Sequence, residues 1–234
     1  MRQKRTSKQT TNNQKFSRKM IALSGVARSG KDTFCKLLIE ILSERGIKAR
    51  RYSFADELKN DLNSFFKDRM GVSIWSCSPD EKELLRPMLV EYGKYWRIKS
   101  NGTHWTSKVL KKIQSDTAEE RILPIITDVR YSVYEFDEAD WVKKNNGVLI
   151  HIERYTNEIF RGDSKYGSDF FYPCPNIQKI FIKPVNDEEF KNDPIIKSIA
   201  DFKFEWETNN NEVQLKKEIE IFLSNNPKIQ KWLT

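Results

Sequence analysis

The most specific chemical spacing in the chain is the run Ser24-Gly25-Val26-Ala27-Arg28-Ser29-Gly30-Lys31-Asp32-Thr33. Two glycines five residues apart let a backbone curl so that successive N–H groups point inward. A helix that starts at the second glycine aims its positive end at the same place. The result is an anion site. A lysine directly after the second glycine can follow negative charge as a phosphoryl group moves. The common form of such a loop is G-x-x-x-x-G-K-[ST], with the hydroxyl on magnesium. Here Asp32 takes the hydroxyl's place and Thr33 follows it. Asp32 either holds magnesium through water or caps the helix start, where the dipole favours an acid. The reading is a site for ATP, with Mg2+, in a protein that transfers the γ-phosphoryl group.

Other residues offer an acceptor side. Arg86 and Arg97 lie eleven apart, three turns of a helix, so both can face one way and grip a dianionic phosphate with their planar forks. Asp128 and Arg130 end an apolar run, and Glu153 and Arg154 end another. The two histidines, His104 and His151, have no serine or cysteine nucleophile in a recognisable arrangement. Phosphoryl transfer by positioning needs none. Most of the six tryptophans read as core, although Trp75, Trp96 or Trp105 can stack on a nucleobase.

These residues need a sheet to hold them. Residues 20–24 read as a buried strand running into the glycine loop, and 31–45 as a helix with Phe34, Leu37, Leu38, Ile41 and Leu42 on one face, ended by Gly46. A strand is expected over 49–54, a helix over 55–70, and helices over 79–99 and 103–115 with no strand between 71 and 121. Apolar runs at 122–127 and 147–152 suit strands of a parallel sheet covered on both faces, with a helix over 134–145 between them. Residues 154–200 carry Pro173, Pro175, Pro184 and Pro194 and read as a loop-rich excursion, with a short strand at 180–182. A strand at 201–206 and a helix at 211–223 close the pattern. Alternating strands and helices imply an α/β fold of three layers with a mainly parallel sheet.

With the loop in hand, residues 20–224 resemble the bacteriophage deoxynucleoside monophosphate kinase family. The lysine-x-threonine order is that of small-molecule kinases of the nucleoside monophosphate type. Ser53-Phe54-Ala55-Asp56-Glu57-Leu58-Lys59 is similar to the family's F-A-x-x-L-K segment, which implies acceptor-side roles for Phe54 and Lys59. Arg86, Leu89, Gly93 and Arg97, with Trp105 eight residues on, resemble its spaced arginine pattern and imply acceptor binding by Arg86, Arg97 and Trp105. Asp128-Val129-Arg130 resembles its D-x-R, implying a carboxylate for magnesium or water and an arginine for phosphate. The family glutamate that follows is matched equally by Glu135 and Glu138. Glu153-Arg154 resembles the start of a lid, with Arg154 or Arg161 as an internal arginine finger, and Thr208-Asn209 resembles the segment beside the ATP base. The resemblance implies one kinase domain over 19–234, a helical acceptor-binding lobe over 71–121 and a lid over 154–200. Its acceptor would be a (deoxy)nucleoside monophosphate. Kinases of dephospho-coenzyme A, phosphomevalonate or sugars share the loop and are the rival reading.

Composition limits the partners. The net charge is +8, but residues 1–19 hold seven basic residues and no acid, which leaves +1 for the rest. The basic character belongs to a polar leader, residues 1–18, that buries too little to fold, so the body has no specific claim on nucleic acid. An ATP-switched nucleic-acid-binding protein anchored by that leader is the rival from another class. No apolar run approaches a membrane span, and no signal-peptide pattern follows the leader. The odd cysteines Cys35, Cys77 and Cys174 form neither a disulfide framework nor a zinc spacing. A cytoplasmic setting follows, in the host if the chain is phage-encoded, with a homodimer compatible with the reading.

Overall fold

The computed structural model describes residues 19–160 and 176–233. The leader 1–18, Arg161, Cys174 and the rest of 161–175 lie outside the described residues. Strand β1 (Ile21–Ser24) is buried throughout, and helix α1 (Lys31–Glu44) follows it, burying Phe34, Cys35, Leu37, Leu38, Ile41 and Leu42 along one stripe. Each such side chain contributes about 1.5–3 kcal/mol by leaving water. Strand β2 (Ala49–Tyr52) leads into helix α2 (Phe54–Met70), which starts at Ser53, whose hydroxyl accepts from the Asp56 N–H, and stops at Gly71, φ 69°.

Helices α3 (Pro79–Lys99) and α4 (Thr103–Asp116) come next, with no strand between. Reciprocal bonds between Ser78 and Glu81, with proline in the first turn, fix the start of α3. Strand β3 (Leu123–Val129) carries Asp128 within it. Helix α5 (Glu138–Lys144) begins four residues later than its sequence predicts. The Asp137 carboxylate accepts from the Val133 and Tyr134 N–H groups, both at 3.0 Å, and this turn holds 133–137 out of the helix.

Strand β4 (Val148–Phe160) runs well past its expected end at 152 and forms an antiparallel pair with β5 (Asn176–Phe181). Glu153 and Arg154 therefore lie inside a strand, not at the start of a loop. Helix α6 (Asp187–Ile199) replaces irregular chain in the expected excursion, with Pro194 inside it. Asn186 caps it by accepting from the Glu189 N–H at 2.9 Å, three acids crowd its first turn, and Ile196 anchors it in the core. Strand β6 (Phe202–Glu207), helix α7 (Glu212–Asn225) and helix α8 (Pro227–Leu233) complete the described chain.

The parallel strands run β2-β3-β1-β4-β6, with β5 antiparallel on β4. One apolar cluster joins this sheet to α1 and α7, and a second joins its other face to α2, α4, α5 and α6. The fold is thus three-layer α/β with a mixed, mostly parallel sheet and, among the described residues, eight helices. From β1 the chain winds to β2 and β3 on one side, then to β4 and β6 on the other. The strand order reverses at β1, and in such sheets the crevice opens at the carboxyl end of the reversal strand. That is where residues 25–30 lie. No described helix is long and apolar enough to cross a membrane.

Candidate functional site

Three residues of the loop after β1 have positive φ: Gly25 at 128°, Arg28 at 66° and Gly30 at 91°. The loop is packed so tightly that a Cβ on Gly25 would stand 2.3 Å from the Ile152 carbonyl oxygen, and one on Gly30 would stand 2.3 Å from the Trp206 ring. Trp206 also seats the loop from below, its indole N–H donating to the Ser29 carbonyl at 2.9 Å. Arg28 has no glycine freedom, so its left-handed backbone costs energy, a kind of strain that gathers at functional loops. The Ser29 hydroxyl is buried without a hydrogen-bond partner.

Lys31 opens α1, and its ammonium donates to the Gly25 and Val26 carbonyls, both at 2.7 Å. Burial, with repulsion from Arg130, pulls it down to about 8, against the attraction of Glu189, Asp32 and Asp128. Asp32 points to solvent, 3.9 Å from the nearest Arg51 nitrogen, and Thr33 is half-buried behind it. Ala27 faces α6: its N–H donates to both Glu189 carboxylate oxygens, at 3.1 and 3.2 Å.

Across the crevice a cavity of about 270 Å³ lies between α2, α3 and the end of β3. It is lined by Phe54, Lys59, Arg86, Arg97, Trp105, Asp128 and Arg130, so the structure brings these sequence-predicted residues together. Their environments differ. Asp128 is engaged on both oxygens: it accepts from the Ser53 hydroxyl and from the Phe54 and Ala55 N–H groups, at 2.8–2.9 Å. It thereby ties the end of β3 to the positive start of α2. Arg86 is exposed and gripped by Glu83 at 2.6 and 2.8 Å. Arg97 is mostly buried, lying 3.6 Å from the Tyr131 ring centre and 3.5 Å from Asp137. Lys59 sits 3.5 Å from Asp56 and over the Trp75 ring. Trp105 is buried floor, donating to the Gly93 carbonyl at 3.1 Å, and Trp96 stacks on His104.

The arginine after β3 and a glutamate on α5 complete this wall. Arg130 reaches Glu189 at 3.1 Å. Its backbone N–H and that of Tyr131 donate to Glu138, at 2.6 and 3.3 Å, whereas Glu135 is exposed and paired with Lys144. Burial, reinforced by repulsion from Asp128, pushes the Glu138 carboxyl up to about 8.

Two expected residues are not brought into this cavity. Arg154 lies in β4 with its guanidinium over Trp206 at 5.4 Å, and it lines a separate space between β4, β5 and α6. Asn209 is exposed in the turn between β6 and α7. Glu189 carried no signal in the sequence, since it meets Ala27 across 162 residues of chain. His151 is buried in β4 and pairs with Asp193 of α6 at 3.0 Å.

The donor set does not enclose a magnesium ion by itself. Among the described residues no three metal-binding side chains converge, and both oxygens of Asp128 already accept hydrogen bonds from the start of α2. Of the two expected carboxylates, Asp32 is the one that points to solvent, and Mg2+ is commonly held by one carboxylate, water and substrate phosphates.

No family model matches the chain, and no curated protein matches it. Among solved structures, the unliganded crystal structure of a sugar kinase from Janibacter sp. HTCC2649 is similar at 12% identity, covering 91% of this chain and 98% of that one, with a TM-score of 0.38.

Proposed function

We propose that the chain is an ATP-dependent kinase whose acceptor is a (deoxy)nucleoside monophosphate, phosphorylated to the diphosphate. The observation that carries this is a glycine loop with three positive-φ residues at the reversal of the sheet, facing a cavity whose lining carries Lys59, Lys82, Arg86, Lys94, Arg97 and Arg130 against Asp128 and Glu138, four of these cations being ion-paired with Asp56, Glu83, Asp137 and Glu189. Such a lining favours an acceptor that is itself anionic over a neutral sugar.

In this reading the N–H groups of residues 25–31 hold the polyphosphate. Lys31 and Arg130 stabilise the charge that develops on the transferring group, and Arg86 and Arg97 hold the acceptor phosphate in line. Asp128 orients the start of α2, and with it Phe54, from which the cavity wall is built. Magnesium bound with ATP would supply further charge neutralisation beside Asp32. Arg154 would act from above the site only if β4 and Trp206 release it, and Asn209 would border the base. The chain is read as acting on small molecules in the cytoplasm, with no nucleic acid or membrane partner and with a homodimer compatible with the site.

ADP release measured by a coupled assay, with each nucleoside monophosphate and with dephospho-coenzyme A, phosphomevalonate and sugars as acceptors, tests the proposal. Turnover with one or more nucleoside monophosphates is expected. Lys31→Ala should lower kcat by roughly 10²–10³-fold, the usual loss for one charge-stabilising donor. Turnover confined to a non-nucleotide acceptor would refute the acceptor assignment.

A further inference from the structure

The groups best suited to hold a polyphosphate are already engaged by the protein's own atoms, and one carboxylate accounts for two of them. Glu189, nearly buried in the first turn of α6, accepts from the Ala27 N–H with both oxygens and holds Arg130 at 3.1 Å. It also accepts from the Val185 N–H at 3.3 Å. A carboxylate and a phosphate oxygen seek the same donors, the inward N–H groups of a loop and a guanidinium fork. They cannot share them, because two anions at contact distance in a partly buried site repel.

We propose that Glu189 is a positioning residue of the nucleotide site. Its carboxylate keeps the Ala27 amide and Arg130 in place as a built-in anion, and it leaves them when the polyphosphate arrives. Arg130 then passes from Glu189 to the transferring phosphoryl group. The exchange gives the Ala27 amide and Arg130 a new anion in place of the old one, so neither is left unsatisfied, while the Val185 N–H gives up its acceptor. It also weakens nucleotide binding by whatever Glu189 gains from those contacts. The α6 cap at Asn186 uses the Glu189 backbone, so the side chain can turn away while the helix start stays closed.

This rests on the reading that the loop takes the polyphosphate of ATP, and the experiment separates the two. Equilibrium binding of the non-hydrolysable imido analogue of ATP would be measured on the full chain, Glu189→Ala and Glu189→Gln. Glu189→Ala should bind about tenfold more tightly than the parent, and Glu189→Gln, which keeps an acceptor but no charge, about threefold. Equal or weaker binding by Glu189→Ala overturns the proposal and leaves the loop reading intact. Absence of binding by all three proteins overturns both. A second measurement needs no variant: on adding the analogue to the parent chain, hydrogen exchange at the Val185 amide should quicken while that at Ala27 stays slow. Unchanged or slower exchange at Val185 contradicts the exchange of partners.

Discussion

Gly30→Ala tests how the loop is held, because its cost has two separable sources. The backbone there has φ 91°, where an L side chain crowds its own carbonyl, at about 1–2 kcal/mol. The added Cβ would also stand 2.3 Å from Trp206 Cζ2 and 2.8 Å from Cε2, inside a buried ring that donates to Ser29 and cannot retreat freely. Overpacking of that kind costs about 1–3 kcal/mol. The sum is about 2–5 kcal/mol in the parent background. In a Trp206→Leu background the ring is gone, and only the backbone cost of about 1–2 kcal/mol should remain. Urea unfolding of the four proteins gives the coupling energy directly, which should be about 1–3 kcal/mol. Additive losses would refute the argument, since they would mean that the indole does not confine the loop. ATP binding by Gly30→Ala should be lost in either background, because the curl itself is altered.

Two further outcomes follow from the other wall. The Asp128 carboxylate serves three donors at the start of α2, and Asp128→Asn must turn an N–H toward one of them; a loss of about 2 kcal/mol in urea unfolding is expected, and an unchanged midpoint would show that the carboxylate does not hold α2. Glu138 is raised to about 8 in the folded chain, whereas an unfolded glutamate titrates near 4.3 (about, as in model peptides). The folded state therefore keeps a proton that the unfolded chain releases, so this contribution to stability is complete below the unfolded value and is lost as pH rises through about 8. Between about pH 5 and 8 the parent should lose up to about 1.4 kcal/mol per pH unit more than Glu138→Gln, and parallel pH profiles of unfolding would contradict the shift.

The sequence carried most of the frame because its local signals agreed with the tertiary solution. The apolar stripe of α1, the Ser53 and Gly71 boundaries of α2 and the strand–loop–helix order around Gly25 and Gly30 each need only a few neighbouring residues to be recognised. The same is true of Arg86 and Arg97, whose spacing along one helix places both on one cavity. Helix α6 was different. Its stripe is weak, Pro194 interrupts it, and Ile196 is the hydrophobic side chain that it buries, so packing against the sheet, not local pattern, makes it helical. Strand β4 likewise continues past residue 152 because β5 and β6 supply partners for it, which moves Arg154 from a loop into a strand.

Types and spacing alone predicted an anion loop with Lys31 at its end and arginines opposite it, and they determined that strands alternate with helices. Only the tertiary structure decided how each charge is used. It committed Asp128 to the start of α2, chose Glu138 over Glu135 for the amides after β3, and put Glu189 of α6 on the loop. The physical reason is range. A curl or a helical stripe is fixed by residues a few positions apart, whereas the partner of a buried charge is whichever donor the fold brings within about 3 Å, however far away it lies in the chain.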